Sequence, residues 1–244
     1  MIKELIKQRF SKSLETYKSN AIVQKQMAEK LVGLIENVSF DNILELGCGT
    51  GFVTELISSK YNYKQYDAID IVDECQKHIE NITNNINFIS CDIENFEYQK
   101  KYDLIISNAS FQWLDNPVDF IKSIKSHLNP NGIFAFTLFG KNNFKELNTI
   151  ISSTPSYYSI TETKEITKEY KLEHLSEENI IMNFERPKEV LQHIKHTGVN
   201  AISQEQWTKS DLNNFEKKYD EICNGNITLT YNPIYVIVKT TNSY

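Results

Sequence analysis

The sequence predicts an α/β fold in which a mostly parallel sheet carries helices on both faces. Up to Gly140, short β-rich segments alternate with segments of helical pattern, as in a succession of βα units. Residues 43–46 run directly into a glycine-rich turn followed by a helical pattern, which predicts a βα turn. Residues 102–108 form an apolar run suited to a strand buried on both faces. The chain of 244 residues is long enough for one such domain, and we expect residues 1–244 to form it.

Residues 1–38 are expected to form helices ahead of the first strand. Ser19 is the expected N-cap of the second helix. The segment 9–17 is less regular and contains buriable aromatic residues. It either folds back over the strand ends as a lid or packs as an ordinary helix. Apolar residues that should pack on the domain recur after Ser19 at steps of three and four: Val23, Met27, Leu31, Leu34 and Val38.

The order of the remaining elements follows from periodicity and from Pro and Gly punctuation. The expected βα units have strands at 42–46, 64–70, 87–93, 102–108 and 133–139 and helices at 51–60, 71–81 and 117–128. After Gly140 this alternation breaks. We expect helices at 142–152, 187–196 and 210–223, a strand at 179–184 and a last strand at 227–238. Region 141–226 should thus hold one strand and several helices, with room for a cap-like insertion.

Composition narrows the classes of partner and compartment. The net charge is −6 and no Lys/Arg run is interleaved with aromatic residues, which argues against nucleic acid. No apolar run approaches the length of a membrane span, and the N-terminus lacks the core of a signal peptide. The four cysteines make no CxxC pair, which favours a reducing cytoplasm. His193 and His196 lack a third nearby ligand, so we expect two exposed histidines and no metal site.

The turn after the first strand has the pattern E-x-G-x-G-x-G, formed by Glu45, Gly47, Gly49 and Gly51. Glycine permits a sharp, bare bend, and a nucleotide-like ligand can lie against such a turn at a helix N-terminus. Phe52 occupies the position of the third glycine of the dinucleotide fingerprint, which argues against a dinucleotide. The pattern resembles motif I of class I S-adenosylmethionine (SAM)-dependent methyltransferases. A glycine-rich turn without a ligand is the alternative.

Two later strands end in acids. Asp70 follows Gly51 by 19 residues, where an open α/β site places a carboxylate for the ribose hydroxyls, and Ile71 is assigned to the same site. The alternative for Asp70 is a helix N-cap. In this fold, an acid such as Asp92 meets the exocyclic amine of adenine, and Ile93 stacks on the ring. Alternatively, Asp92 is a turn residue.

The loop after the fourth strand carries polar and aromatic side chains beside the glycine turn. Asn108 is expected near the methionyl group of the cofactor. Gln112 and Trp113 are expected to form the wall on the acyl side, although Trp113 could equally be plain core.

Taken together, the chain resembles the malonyl-[acyl-carrier protein] O-methyltransferases of biotin synthesis. Motif I specifies only the cofactor, and more particular segments carry the narrower assignment. The similarity covers nearly the whole chain and rests on 9–11 with Tyr17, Gln24 and Gln26, on 45–51, on 107–108 with 112–113, on 134–137, on 194–201 and on 229–231.

The resemblance implies a Rossmann-like, seven-stranded, mostly parallel sheet with an N-terminal helical lid and a helical insertion after the fifth strand. It also implies methyl transfer from SAM to the free carboxylate of malonyl-acyl carrier protein, giving the methyl ester that primes pimeloyl synthesis. Tyr17 would cover the donor and orient the acyl end. Two alternatives remain: a SAM-dependent methyltransferase acting on a small carboxylate or another metabolite, and a non-catalytic SAM-binding module.

The implied partner is itself acidic, so an encounter with a chain of net charge −6 needs a local basic patch. Arginine is scarce, and lysines would have to replace arginines that face the carrier protein in other members of the family. We expect a monomer, with no membrane or nucleic-acid partner. The candidates for the patch are Arg9, Lys12, Lys18, Arg186, Lys188 and Lys195.

Overall fold

A computed structural model describes residues 2–36, 39–83, 85–151, 157–197 and 208–241. Its strands are β1 (Ser39–Leu46), β2 (Asn62–Asp70), β3 (Asn87–Ser90), β4 (Tyr102–Ser107), β5 (Leu128–Phe139), β6 (Lys171–Glu177), β7 (Ile180–Asn183), β8 (Thr228–Tyr231) and β9 (Pro233–Lys239). Its helices are α1 (Ile2–Asn20), α2 (Ile22–Gly33), α3 (Phe52–Lys60), α4 (Cys75–Glu80), α5 (Pro117–Ser123), α6 (Lys145–Asn148), α7 (Ile160–Ile166), α8 (Pro187–His196) and α9 (Lys209–Cys223).

Seven strands form the central sheet in the order β3–β2–β1–β4–β5–β9–β6. The pairs among β1 to β5 are parallel, and β9 runs antiparallel to both β5 and β6. The strand order reverses between β1 and β4, because the connections after these two strands run to opposite sides of the sheet. A crevice therefore opens between the carboxyl ends of β1 and β4. The predicted α/β class with a seven-stranded, mostly parallel sheet is confirmed.

The strand sequences explain why helices cover both faces. Successive side chains of a strand point to opposite sides of the sheet. Leu104 and Ile106 join the hydrophobic cluster that includes α2, whereas Ile105 lies in the cluster on the other face, and all three are fully buried. The centre of a strand buried on both faces has to be apolar, and Leu104, Ile105 and Ile106 are the centre of β4.

The N-terminal helices differ from the prediction at their junction. Helix α1 continues to Asn20 and α2 begins at Ile22, with Ala21 between them. Ser19 is therefore not an N-cap, because it lies inside α1 and its hydroxyl donates to the carbonyl of Thr16 at 2.8 Å. In the predicted apolar stripe Val23, Met27 and Leu31 are buried, Leu34 is half-buried, and Val38 lies outside the described residues.

The largest error of the sequence prediction lies after β5. Region 141–226 contains two strands, β6 and β7, where one was expected, and β6 is the edge of the central sheet. An edge strand needs few apolar residues, and none of β6 is fully buried. The predicted last strand is also divided at Asn232: β8 pairs with β7 in a separate two-stranded sheet, and β9 enters the central sheet. Thr197 is the C-cap of α8, and residues 198–201 of the segment that carried part of the family resemblance lie outside the described residues.

Several predicted helices are shorter in the structure or end in a different type of helix. Helix α4 begins only at Cys75, α6 is one turn, and a 3₁₀ turn replaces the end of the helix predicted to 128. Within the described residues, no helix is both long and apolar enough to span a membrane.

Candidate active site

A cleft opens at the carboxyl edge of the central sheet, at the point where the strand order reverses. Helix α1 lies over it, with Ile6, Phe10 and Tyr17 among the lining residues. The segment 9–17 is thus part of an ordinary packed helix that lines the cleft, and its role as a lid stays a prediction. The floor is formed by the glycine turn after β1 and by the segments after β2, β3 and β4.

The glycine turn is pinned to β2 by its own backbone. The amides of Gly47 and Cys48 both donate to the carbonyl of Ile69 at 2.9 Å. Gly47 has φ 75°, and a Cβ there would lie 2.3 Å from Oγ of Ser110. Gly49 has φ 53°. Both glycines line the cleft, so this bend requires residues without side chains.

Gly51 has a different role from the one predicted. It is the N-cap of α3 at φ 89° and is not among the residues that line the cleft. A Cβ at this position would lie 2.4 Å from Cδ1 of Ile82. The third glycine of the motif therefore allows the start of α3 to pack against the end of α4, and it does not provide space for a methionyl group.

Asp70 connects the glycine turn to the segment after β2. Its Oδ2 accepts from the amide of Gly49 at 2.8 Å, and its Oδ1 accepts from the amide of Val72 at 2.9 Å. Burial raises the pKa of the Asp70 carboxyl, and these backbone N–H groups oppose that rise. Asp70 does not cap α4, whose N-cap is Glu74. Asp70 and the half-buried Ile71 both line the cleft.

Glu45 is a buried carboxyl behind the turn. It accepts hydrogen bonds from the hydroxyl of Thr54 at 2.7 Å and from the hydroxyl of Tyr66. Burial raises the pKa of Glu45 to about 7, although the two hydroxyl donors lower it, and repulsion from Asp70 adds to the rise. Near neutral pH this carboxyl is poised between its protonated and ionised forms.

Asp92 caps a turn, as its alternative interpretation expected, and it also lines the cleft, whereas its contact with adenine stays a prediction. Its Oδ1 accepts from the amide of Glu94 at 3.1 Å, at the start of the 3₁₀ turn Ile93–Asn95. Its Oδ2 accepts from Nζ of Lys3 at 2.6 Å. An adenine amine at Asp92 would therefore share the carboxylate with a lysine of α1. Ile93 is buried and lines the same part of the cleft.

The side-chain amides of Asn108 and Gln112 help to hold the loop after β4 in place. Nδ2 of Asn108 donates to the carbonyl of Gln24 at 2.9 Å, and its Oδ1 accepts from the hydroxyl of Thr137 at 3.1 Å. Nε2 of Gln112 donates to the carbonyl of Ala109 at 2.6 Å. Trp113 is half-buried and lines the cleft, so it is not plain core. All three predicted residues reach the cleft, but both amide side chains already have protein partners.

Tyr17 lies on the cleft side of α1. Its ring packs edge-to-face on Phe10 with centroids 5.0 Å apart and lies 6.0 Å from the ring of Phe52. Burial, and then the negative charge of Asp70, raise the pKa of the Tyr17 hydroxyl, so it stays neutral at physiological pH.

Several lining residues were missing from the sequence prediction. Gln24 and Thr50 are 4 % and 1 % exposed, and Oε1 of Gln24 and Oγ1 of Thr50 have no hydrogen-bond partner among the described residues. Buried polar atoms without partners are uncommon in folded proteins, and two in one cleft indicate a ligand that supplies the missing donors and acceptors. The last residue of β5 and the chain after it contribute Phe139, Asn143, Phe144, Tyr157, Thr197 and Tyr231.

The prediction for the two histidines was wrong for one of them. His193 is 8 % exposed, and its Nε2 lies 2.8 Å from the hydroxyl of Tyr231. Burial lowers the pKa of His193 to about 4, with a contribution from His196. Its neighbour His196 is exposed. No cluster of three or more potential metal ligands occurs within the described ranges.

Comparisons with known proteins agree with this geometry. A sequence profile described as a methyltransferase domain matches residues 19–204. The malonyl-[acyl-carrier protein] O-methyltransferase of Chlorobium luteolum is 34% identical over 250 residues, which cover 97% of this chain and 95% of that protein. The protein of the same name from Calditerrivibrio nitroreducens is 36% identical, over 96% of this chain and 95% of that one.

The chain belongs to the malonyl-[acyl-carrier protein] O-methyltransferase family. It is a SAM-dependent methyltransferase, as the motif after β1 predicted.

A solved structure of another methyltransferase shares the fold of this chain. N-methyltransferase NodS of Bradyrhizobium japonicum, in complex with S-adenosyl-L-homocysteine, matches it with a TM-score of 0.58 at 13% identity. The match covers 93% of this chain and 99% of that one. At this identity the likeness concerns the fold alone, and the choice of acceptor must come from residues of this chain.

Proposed function

We propose that this methyltransferase transfers the methyl group of SAM to the free carboxylate of a malonyl group carried by acyl carrier protein. The product would be the methyl ester that primes pimeloyl synthesis for biotin. The observation that carries this proposal is the similarity to relatives named for that reaction along 97% and 96% of the chain. The side chains that line the cleft support it, because the acceptor end offers uncharged hydrogen-bond donors.

The cleft residues fit SAM. When bound, SAM supplies a methyl group attached to a positively charged sulfur. The bare backbone at Gly47 and Gly49 leaves room for the methionyl part, beside the unpartnered polar atoms of Gln24 and Thr50. We assign the ribose to Asp70 with Ile71 and the adenine to Asp92 with Ile93. Glu45 lies behind the glycine turn, where an ionised carboxyl favours a nearby positive charge.

The reaction needs orientation more than proton transfer. A carboxylic acid with a pKa of about 4 is ionised at neutral pH, so no general base is required. The carboxylate oxygen attacks the methyl carbon, an O–C bond forms, and the C–S bond breaks with its electron pair left on sulfur. The protein has to hold the two reactants in line and to exclude water, and α1 with Tyr17 covers the cleft in that way.

The surface proposed for the carrier protein is smaller than the six predicted residues. Lys18 pairs with Glu55, and Arg186 pairs with Glu189. Lys12 on α1 and Lys188 and Lys195 on α8 are exposed, and α1 packs against α8. We therefore centre the docking patch on Lys12, Lys188 and Lys195. Arg9 is half-buried at its edge.

We propose that the enzyme acts as a monomer in the cytoplasm. One chain supplies all the cleft residues described above, which supports this proposal. The cysteines Cys48, Cys75, Cys91 and Cys223 are free thiols, in keeping with a reducing compartment.

Mass spectrometry of acyl carrier protein tests the proposal. Purified enzyme is incubated with SAM and malonyl-carrier protein, and in parallel with malonyl-CoA, free malonate and other small acids. We expect one added methyl group on the malonylated carrier protein. Methylation of a free acid alone would favour a small-molecule methyltransferase. Tight SAM binding with no product on any acceptor would favour a non-catalytic binding module.

A further inference from the structure

The end of the cleft beyond β5, here called the far pocket, has no assigned role. It is lined by Phe139, Asn143, Phe144, Tyr157, Thr197 and Tyr231. In the sheet order, β5 lies on one side of the β1–β4 crevice and β3 on the other. The far pocket and the proposed adenine site at Asp92 are therefore at opposite ends of the cleft, and the acceptor has to approach through the far pocket.

Tyr231 is firmly held in the far pocket. It is the last residue of β8. Buried side chains accept hydrogen bonds from the backbone amides of the residues before and after it. Glu146 accepts from the amide of Thr230 at 3.0 Å, and Oδ1 of Asn143 accepts from the amide of Asn232 at 3.1 Å. The Tyr231 ring also packs edge-to-face on Phe144 with centroids 4.8 Å apart. Such support fixes the direction of a single phenol.

The hydroxyl of Tyr231 lies among uncharged polar groups. Nε2 of His193 is 2.8 Å away, and the side chains of Gln24 and Thr197 also interact with the hydroxyl. Burial raises the pKa of Tyr231, so the phenol keeps its proton, and the low pKa of His193 keeps the imidazole neutral. If Nε2–H of His193 donates to the phenol oxygen, the phenol proton remains available to a ligand in the cleft.

The charges around the cleft limit how an anionic acceptor can be held. Among the described lining residues, Lys3 is the one basic side chain, and it is bound to Asp92 and Glu94 at the adenine end. A carboxylate that leaves water needs hydrogen bonds, and those made to an ionised group are short and strong. The far pocket can supply these bonds only through neutral donors, which leave the attacking oxygen more nucleophilic than a lysine or arginine would.

We propose that the hydroxyl of Tyr231 binds the terminal carboxylate of the acceptor, with His193 as the positioning residue that directs the phenol proton into the cleft. This inference rests on the proposed function, because it takes a carboxylate as the acceptor. The phenol donates to the carboxylate oxygen that does not attack, so its proton stays on Tyr231 throughout the methyl transfer.

Tyr231→Phe tests the contact, because it removes one hydroxyl and keeps the ring. We expect the KM for malonyl-carrier protein to rise at least about tenfold, as for the loss of a hydrogen bond to a charged group, while the Kd for SAM stays within about twofold. Acetyl-carrier protein lacks the terminal carboxylate, and its inhibition constant should be equal in Tyr231→Phe and wild type. A loosened β8 would weaken both acyl forms.

Tyr219→Phe is the matched control. It also removes a buried hydroxyl beside β8, one that donates to the carbonyl of Thr228 at 2.7 Å outside the cleft. It should leave the KM for malonyl-carrier protein unchanged. For His193, we expect His193→Leu to raise that KM, and His193→Gln, which keeps an N–H donor, to restore part of the loss.

The outcomes separate the two proposals. A wild-type enzyme that methylates no malonyl thioester overturns the proposed function. A wild-type enzyme that does so, with an unchanged KM in a folded Tyr231→Phe variant, overturns only the role of Tyr231. Equal losses in Tyr231→Phe and Tyr219→Phe also overturn it, because they would show that β8 was disturbed.

Discussion

The carboxylate of Asp70 joins two segments that are distant in sequence. One oxygen holds the amide of Gly49 in the glycine turn, and the other holds the amide of Val72 after β2. The sequence indicated an acid at the end of the strand, but the two backbone contacts became visible only in the structure. Asp70 therefore shapes the turn as well as facing the cleft.

For Asp70→Asn, we predict that the Kd for SAM rises at least about tenfold, because an amide cannot accept both ribose hydroxyls as an anion does. Calorimetry measures the change. Asp103→Asn is the control, since Oδ2 of Asp103 likewise accepts two backbone amides, of Asp41 and Asn42, but at the opposite edge of the sheet. Equal SAM affinity in both variants would contradict the ribose assignment.

Glu45 should give stability a distinct pH dependence. Its pKa in the folded state, about 7, lies above the ordinary value of 4.5, so between these pH values the folded protein keeps a proton that the unfolded chain has lost. The contribution of Glu45 is therefore fully present below pH 4.5 and is lost as the pH rises through 7, by up to about 3 kcal/mol.

In urea unfolding between pH 4.5 and 7.5, we predict that the stability of wild type relative to Glu45→Gln declines as the pH rises. The glutamine variant lacks this titration, and subtracting its curve removes the effect of other groups. Glu36→Gln, at an exposed position on the way from α2 to β1, should run parallel to wild type. A constant difference between wild type and Glu45→Gln would show that Glu45 does not titrate in this range.

Helix α1 lines the cleft with apolar side chains and contacts the rim of the cleft with polar ones. Ile6, Phe10 and Tyr17 line the cleft, while basic side chains beside them reach the acids on its rim. Lys3 contacts Asp92 and Glu94. The helix is thus attached to the rim after β2, β3 and the start of α3 by four polar contacts: Lys3–Asp92, Lys7–Asp73, Ser11–Glu74 and Lys18–Glu55.

Lys3→Met is predicted to loosen α1 at its N-terminal end. Lys3 is 22% exposed and pairs with three acids, Asp92, Glu94 and Asp115, so its loss should destabilise the closed helix by about 1–2 kcal/mol, a roughly tenfold increase in local opening. Hydrogen exchange should show faster exchange in the first turns of α1, and stopped-flow measurements should show faster SAM release. Lys25→Met, at an exposed pair with Glu29 in α2, should change neither.

The whole enzyme is acidic, and so is the proposed carrier-protein partner, so the two proteins need local contacts between opposite charges. The net charge of −6 would repel the proposed carrier-protein partner at long range, whereas the proposed basic patch would attract it at contact. The proposed patch of Lys12, Lys188 and Lys195 lies on α1, which contributes residues to the cleft, and on α8, whose C-cap Thr197 lines the cleft. A carrier protein bound there could deliver its acyl arm past α8 to Tyr231.

Reversal of two charges on α8, Lys188→Glu with Lys195→Glu, should raise the KM for malonyl-carrier protein about tenfold at low ionic strength. The effect should shrink in high salt, and the KM for malonyl-CoA should change much less. Lys64→Glu with Lys101→Glu makes the same change in net charge at the amino edge of the sheet. Equal effects of the two double variants would show that net charge, not the patch, controls binding.

Local sequence patterns were sufficient to predict the features that depend only on residues close together in the chain. The alternation of strands and helices up to β5, the glycine turn and the acids Asp70 and Asp92 could be identified because each depends on neighbouring residues or on a short spacing. The chain after β5 was harder. Edge strand β6 has little apolar content, and the break at Asn232 between β8 and β9 becomes clear only from their different partners.

The residues of the chain were sufficient to predict the class of the sheet and the enzyme family, and they indicated the cleft that we assign to SAM, because a glycine turn and a strand buried on both faces each show in consecutive residues. The folded chain was needed to see that Gly51 serves helix packing, that Lys3 shares Asp92, and that His193 is buried against Tyr231. Each of these contacts joins residues separated by 31 or more positions, and no local pattern records which distant side chains the fold will bring together.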